Sequence, residues 1–218
     1  MTNRAKLVAA MLTAATVASQ GLAQDFGGAF YGGSIGLGTG TYLPGTPEND
    51  LTAAEIDVEG IMVGARIGGN VQNGRTLYGV DAEISTGIDG SNPVGTNGSG
   101  WDCATGPCNI TINAIGTLRA RAGYLIDSRT VIYGAGGVAI AAVEGGIENS
   151  PQQGSSITGG GTFAVGIERF MSPVTMLFAE AAVIDLGTLT FGTDDSETYD
   201  YTADGDILSL RVGLNVKF

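Results

Sequence analysis

The stretch that decides the fold is the C-terminal one, LSLRVGLNVKF, which runs from Leu208 to Phe218. Leucine, valine and phenylalanine occupy every second position, with serine, arginine, glycine, asparagine and lysine between them. Because successive side chains of a strand point to opposite faces, one face of this segment is apolar and the other is polar or small. The pattern predicts a β-strand that separates two unlike environments.

The same two-residue period recurs along the chain and predicts eight strands. Each is close to the roughly 9–11 residues that a tilted membrane strand needs. In the fourth strand, Ile110 and Ile112 are in phase with Leu118, so we expect all three on the apolar face. The predicted strands cover residues 30–38, 56–70, 78–84, 110–123, 133–143, 163–168, 177–183 and 208–218.

The connections between these strands are alternately long and short. Tight turns are predicted at Asn73-Gly74, Asp127-Ser128 and Ser172-Pro173. The long connections then share one side of the sheet, as they do in outer-membrane barrels. The fold class predicted is all-β: an eight-stranded antiparallel up-and-down transmembrane β-barrel with short periplasmic turns and long extracellular loops. The long connections are Thr39–Glu55, Gly87–Asn109, Glu144–Ile157 and Thr190–Gly205.

Two other all-β folds are alternatives to this assignment. A soluble lipocalin-type barrel would place its apolar residues inside and its charges outside. An exported β-sandwich would expose the charged face of its sheet to water. The alternation of loop lengths favours the membrane barrel over both.

The polar face of the predicted strands carries four bases and four acids, while the apolar face is almost free of charge. An eight-stranded barrel has an interior that side chains just fill, so these charges are expected to pair with one another there. The predicted interior charge network consists of Arg66, Asp81, Glu83, Arg119, Arg121, Glu168, Glu180 and Arg211.

Small residues on the same face support a second hypothesis, a narrow passive diffusion channel for small solutes. Small side chains would leave room for water beside the charges. The two hypotheses differ in whether the charged side chains bridge the barrel axis or line one wall. The small inward residues are Gly32, Ser34, Gly36, Gly64, Gly79, Gly166 and Ala182.

The N-terminus has the three regions of a secretory signal peptide. Met1–Lys6 carries two bases, Leu7–Ala18 is apolar, and Gly21-Leu22-Ala23 is a small-x-small cleavage site. We predict a signal peptide over 1–23 and an outer-membrane β-barrel domain over 24–218. An uncleaved N-terminal anchor is the alternative, and no cysteine follows the site to carry a lipid.

Export determines how the two cysteines are interpreted. Cys103 and Cys108 enclose a Gly-Pro turn, and in an oxidising compartment such a close pair is most simply a local disulfide. No further soft ligand accompanies them, so a metal site is not expected there. Trp101, beside the pair, is assigned equally to a receptor contact or to a lipid anchor.

Composition excludes several classes of function. The 218 residues include 10 Lys+Arg, 22 Asp+Glu and no His, which gives a formal charge of −12. Nucleic acid binding requires a basic surface, and Ser–His, Cys–His and His–metal chemistries require histidine. Asp81 and Glu83 could act as acid and base, but pairing with Arg119 and Arg121 is the simpler assignment. We therefore expect no enzyme activity and no cofactor, and the acidic stretch Asp194–Asp206 lacks the spacing of a calcium loop.

Several short motifs resemble those of one known family. LRARAGY at 118–124, YGAGGVA at 133–139, FAE at 178–180 with IDLG at 184–187, and RVGLNVKF at 211–218 carry the resemblance. As a set they are similar to strands of the OmpA-like eight-stranded outer-membrane β-barrel proteins, especially the surface antigens of alphaproteobacteria. The chain departs from that pattern at Ala181-Ala182 and in its cysteine pair.

The resemblance implies a location in the outer membrane and insertion there by the barrel-assembly machinery, with Phe218 as part of the assembly signal. It also implies roles in envelope integrity, adhesion or surface exposure, and sometimes slow solute passage. The expected partners are outer-membrane lipid and a surface ligand or host receptor bound through the loops. Tyr31, Tyr124, Phe170 and Phe218 are predicted to form an aromatic girdle near the turn side.

Overall fold

The computed structural model describes residues 25–46, 49–50, 55–92, 107–147, 153–191 and 201–218. These residues form eleven strands. In chain order they are β1 (Gly28–Thr46), β2 (Asn49–Asp50), β3 (Ile56–Asn73), β4 (Thr76–Thr86), β5 (Asp89–Asn92), β6 (Cys108–Leu125), β7 (Thr130–Ile147), β8 (Gln153–Phe170), β9 (Thr175–Asp185), β10 (Leu189–Phe191) and β11 (Tyr201–Lys217). Among the described residues, no helix has the length and apolar character required to cross a membrane.

Eight of these strands close into an antiparallel barrel. Strands β1, β3, β4, β6, β7, β8, β9 and β11 pair in sequence order, and β1 pairs with β11 from Phe30↔Lys217 to Gly45↔Thr202. The three predicted tight turns connect β3 to β4, β6 to β7, and β8 to β9. The predicted eight-stranded up-and-down barrel is therefore confirmed. We call the end with these turns the turn end and the opposite end the loop end.

The strands extend well beyond the predicted segments towards the loop end. For example, β1 has 19 residues and continues to Thr46, whereas Thr39–Glu55 was predicted to be a connection. Strands β7 and β8 likewise continue to Ile147 and from Gln153, so most of the predicted loop between them is strand. The predicted lengths of these connections are wrong because the barrel wall rises past its apolar band.

Outward side chains form that apolar band over the part of the wall nearer to the turn end. Ile67, Val165 and Leu214 are exposed there, and charged residues are confined to the edges of the band. Exposure of so many large apolar side chains on one closed wall is typical of a surface that faces lipid. This band is the membrane-spanning part of the barrel.

The polarity of the two faces reverses towards the loop end. There, Asp57, Asp185 and Asp206 point outward and are exposed. The inward side chains form an apolar cluster that we call the loop-end cluster. Its members are Tyr42, Ile56, Val58, Met62, Ile88, Cys108, Ile110, Ile112, Ile115, Ala139, Ala141, Val143, Ile147, Ile184, Leu186, Leu189, Phe191, Ala203 and Ile207. The wall beyond the membrane is thus built like a water-soluble barrel.

Strand β6 contains an irregularity that reverses its faces. Its register with β7 shifts between Ile112 and Ala114. One extra residue at a bulge moves all later side chains to the opposite face. Ile110 and Ile112 are therefore buried in the loop-end cluster, and the prediction that they share the outward face of Leu118 is wrong.

Strands β4 and β9, which lie on opposite sides of the barrel, are both interrupted before the wall ends. Gly87 and Ile88 separate β4 from β5, and Leu186, Gly187 and Thr188 separate β9 from β10. Gly187 has a φ of +62°, a conformation that other residues adopt with strain. Each interruption directs an apolar side chain, Ile88 or Leu186, into the loop-end cluster.

Candidate functional site

The eight charged residues predicted for the interior lie on inward faces of β3, β4, β6, β8, β9 and β11. All are buried, and the most exposed of them, Glu83, has an accessible fraction of 5%. Their backbone positions are fixed by the strand registers, in which Arg66 is opposite Glu83, Asp81 opposite Arg119, and Glu180 opposite Arg211. We call this set the charge belt.

Glu180 on β9 is paired with three arginines of the belt at hydrogen-bond distance. Its carboxylate lies 3.1 Å from Arg66 Nη2, 2.8 Å from Arg119 Nη1 and 2.7 Å from Arg211 Nη2. The hydroxyl of Tyr133 donates a fourth hydrogen bond to it at 2.9 Å. One carboxylate thus pairs with guanidinium groups from three other strands and orients them.

Glu83 on β4 is a second meeting point in the belt. It accepts from Arg66 Nε at 3.1 Å and is also paired with Arg211. Ser34 Oγ donates to the same carboxylate at 3.4 Å. Since β1 and β3 lie between β4 and β11 in the wall, the pair Glu83–Arg211 reaches across the lumen rather than along one wall.

Two further pairs complete the belt. Arg119 Nη2 lies 2.7 Å from Asp81 Oδ1. Nearer to the turn end, Arg121 Nη2 lies 2.9 Å from Glu168 Oε2, and Asn215 also donates to Glu168. The belt is therefore balanced within itself, with each of its four acids bound to at least one arginine.

Two aromatic side chains that contact the belt were not predicted from the sequence. Arg121 lies over the ring of Tyr133 at 4.1 Å, and Arg66 over the ring of Phe178 at 4.3 Å. Such cation–π contacts stabilise a desolvated guanidinium. Phe178 has the same strand parity as Glu180, so the alternation on β9 could have placed it inside.

The space beside the small inward residues is filled by larger interior side chains. A Cβ at Gly166 would lie 2.5 Å from the ring of Tyr133, and one at Gly79 would lie 2.2 Å from Asn70 Oδ1. At Gly36 and Gly64 the neighbouring side chains are Arg211 and Glu83. These glycines therefore accommodate interior side chains and are not lined up along an open path.

Gly166→Ala is expected to lower the free energy of unfolding by about 1–3 kcal/mol, because the new methyl group overlaps the ring of Tyr133 and displaces its hydroxyl from Glu180. Urea unfolding in lipid vesicles measures the loss. Gly134→Ala is the matched control, since its Cβ points outward and lies 3.9 Å from the nearest heavy atom. Equal stability of the two variants would contradict the packing described for Tyr133.

Apolar clusters close the lumen on both sides of the charge belt. The loop-end cluster lies between the belt and the loop end of the barrel. At the turn end, the rings of Phe26 and Phe170 are in tilted contact, with centroids 4.5 Å apart, within a second cluster that also contains Phe30, Leu77, Leu125, Val131 and Met176. Phe170 is therefore buried inside, and its predicted place in the aromatic girdle is wrong. It has the inward parity of Glu168, two residues earlier.

The remaining predicted residues have different outcomes. Tyr31, Tyr124 and Phe218 are exposed at the turn end, where Phe218 lies 5.8 Å from Tyr31 between ring centroids and its backbone N–H donates to Ala29. Cys108 begins β6 and is buried, whereas Cys103 lies outside the described residues. Trp101, residues 194–200 and the predicted signal peptide lie outside them as well. The disulfide and the signal peptide stay predictions.

The chemistry available to the belt is limited by its pairing. Asp81 and Glu83 both face arginine at ion-pair distance. Within the described parts of the chain, no group of three or more His, Cys, Asp or Glu side chains is arranged to hold a metal ion. The arrangement is suited to neutralising charges within a closed wall.

Comparison with curated proteins finds relatives in the outer membrane. The chain is 27% identical over 179 residues to the 31 kDa outer-membrane immunogenic protein of Brucella melitensis biotype 1, covering 78% of this chain and 72% of the relative. The protein of the same name from Brucella suis biovar 1 matches equally. No protein-family model matches the chain. The predicted resemblance to outer-membrane surface antigens is confirmed, as is the outer-membrane location.

Solved structures of small outer-membrane barrels are also similar. The outer-membrane protein AlkL, solved in DMPC bilayers, has a TM-score of 0.47 at 15% identity, covering 93% of this chain and 94% of that one. Ail of Yersinia pestis, in complex with the heparin analogue sucrose octasulfate, has a TM-score of 0.44 at 12% identity. Neisserial surface protein A has one of 0.43 at 13% identity. For both, 88% of this chain and 99% of the other are covered.

Proposed function

We propose that this outer-membrane β-barrel protein is a non-enzymatic structural and surface-exposed protein that supports envelope integrity and presents its loop end in an adhesion- or antigen-like role. The observation that carries the proposal is the closed interior. Ion pairs bridge the lumen between Glu83 and Arg211 and between Arg66 and Glu180, and apolar clusters lie on both sides of them. Such an interior makes the barrel rigid and does not favour the passage of solutes.

The loop end supports the surface part of the proposal. Its wall continues beyond the apolar band, with polar residues outside and an apolar core inside, so it stands in water as a rigid platform. The Brucella relatives are immunogenic by name. We further propose that the Cys103–Cys108 disulfide shapes one loop of this platform, that a surface ligand or host receptor binds there, and that Phe218 is read by the barrel-assembly machinery.

Single-channel conductance of the refolded chain tests the closed interior. A folded barrel is first verified by heat-modifiable mobility on a gel. We expect no discrete openings in a planar bilayer. Around the belt, the space beside every described inward glycine is filled by neighbouring atoms, which leaves no open path. Reproducible openings from the folded barrel would instead support the alternative, a narrow diffusion channel in which the belt acts as the filter.

Labelling of intact cells tests the surface role separately. A peptide tag inserted between β10 and β11 should be accessible to antibody without permeabilisation. A tag in the turn between β6 and β7 is the matched control, and it should be labelled only in permeabilised cells. Reversed accessibility of the two tags would contradict the proposed orientation.

A further inference from the structure

The basic residues of the barrel lie either in the charge belt or at the turn end, and none lies at the loop end. Every Lys and Arg after residue 24 lies among the described residues, and four of these eight belong to the charge belt. The other four, Arg75, Arg129, Arg169 and Lys217, lie at the turn end, which has Asp25 and Asp127 as its acids. We call these four the basic collar. The loop end therefore has no base, and Asp57, Glu59, Glu144, Asp185, Asp204 and Asp206 are exposed there.

Arg75 is held at the outer edge of the collar. Its Nε donates to the carbonyl of Leu125 at 3.0 Å and its Nη2 to that of Ile126 at 3.1 Å. The guanidinium lies 5.2 Å from the ring of Tyr124, which is exposed on the outward face. No carboxylate of the described residues lies within ion-pair distance of Arg75. Its charge is thus fixed, exposed and beside an interfacial tyrosine.

Arg169 supplies a second outward charge at the same level. It follows Val165 and Ile167 on the outward face of β8, where its Nη1 donates to Thr130 Oγ1 at 2.9 Å. Its ion pair with Asp127 is long, at 3.5 Å, and both side chains are partly exposed. Exposed pairs of this kind are weak, so the pair with Asp127 does not prevent Arg169 from contacting a lipid phosphate.

The turns themselves carry exposed apolar side chains. Ile126, Met171 and Val174 have accessible fractions of 47%, 58% and 50%. Turns that project into water are normally polar, whereas apolar and aromatic side chains with neighbouring bases are typical of the lipid headgroup region. The collar therefore sits where phosphate groups of the periplasmic leaflet lie.

We propose that the basic collar binds the headgroups of anionic phospholipids in the periplasmic leaflet, with Arg75 beside Tyr124 and Arg169 as the main contacts. The guanidinium groups donate hydrogen bonds to the phosphodiester, while the apolar turn residues contact the first acyl carbons. The carboxylates of the loop end repel the same lipids from the other leaflet. The protein thus favours anionic headgroups in the leaflet at its turn end and disfavours them in the leaflet at its loop end.

Electron paramagnetic resonance of spin-labelled lipids tests the proposal. The full mature chain is refolded in phosphatidylcholine vesicles that contain traces of spin-labelled phosphatidylglycerol or phosphatidylcholine. We expect phosphatidylglycerol to associate about two- to fivefold more strongly with the native barrel at low salt. The double variant Arg75→Gln/Arg169→Gln should lower this preference to about one, and Arg75→Lys/Arg169→Lys should retain it.

Salt provides a second measurement that needs no variant. Because the contacts are at the membrane surface, 0.5 M NaCl should bring the preference of the native barrel close to one. A native barrel without preference, an insensitivity to salt, or a double glutamine variant that keeps the full preference would each overturn the proposal. Loss of preference in the lysine variant would overturn its charge basis.

Discussion

Glu180→Gln is expected to lower the free energy of unfolding by about 3–5 kcal/mol, the largest effect of any single substitution that we predict. The carboxylate lies between Arg66, Arg119 and Arg211, which are all buried. Glutamine has the same size and can still accept from Tyr133, so the change isolates the charge. Its loss leaves the belt with an uncompensated positive charge away from water.

Urea unfolding in lipid vesicles, followed by gel mobility, measures this effect. Glu144→Gln is the matched control, because Glu144 is exposed on the outward face of β7, where it accepts a hydrogen bond from the side-chain amide of Asn113 at 3.0 Å. The control should change the stability by less than about 0.5 kcal/mol. Similar losses in the two variants would show that the buried ion pairs contribute no more to the free energy of unfolding than an exposed carboxylate does.

Val212→Arg is expected to cost about 2–4 kcal/mol, because it places a guanidinium against hydrocarbon near the middle of the membrane. Val212 is the central residue of five outward apolar positions on β11, between Leu208 and Val216. The same unfolding assay measures the cost. Unchanged stability would mean that this face of the wall does not contact lipid.

Asp206→Arg serves as the control on the same strand and the same face. Asp206 is exposed beyond the apolar band and lies opposite Asp185 in the register of β9 and β11. An arginine there stays in water and faces an acid, so no loss of stability is expected. The difference between the two arginine variants locates the outer edge of the membrane along β11.

The barrel was predictable from the two-residue period because lipid imposes one polarity on every strand that crosses it. The length of the wall was not, since the polarity rule reverses beyond the membrane. From Gly38 onward the inward positions of β1 are glycines followed by Tyr42, and the outward ones include Thr39 and Thr41. A rule that expects apolar residues outside interprets this stretch as a loop.

The members of the charge belt follow from strand parity, but their partners do not. Which arginine reaches Glu180 depends on the stagger of strands around the barrel and on the length of each side chain, and neither is a local property of the sequence. Tyr133 lies in a glycine-rich segment, and its role depends on Gly166 of the neighbouring strand. The bulge after Ile112 is likewise a property of two strands together.

The charge belt also has a consequence for the order in which the barrel forms. Arg66 and Glu180 are 114 residues apart in the chain, and Arg211 and Glu83 are 128 apart. A sheet that ends at β7 would carry Arg66, Arg119 and Arg121 without the acids of β8 and β9. Any such intermediate would expose unmatched charge to the bilayer. The belt therefore favours cooperative membrane insertion, because Arg66, Arg119 and Arg211 share the carboxylate of Glu180 only after β9 and β11 have joined the ring.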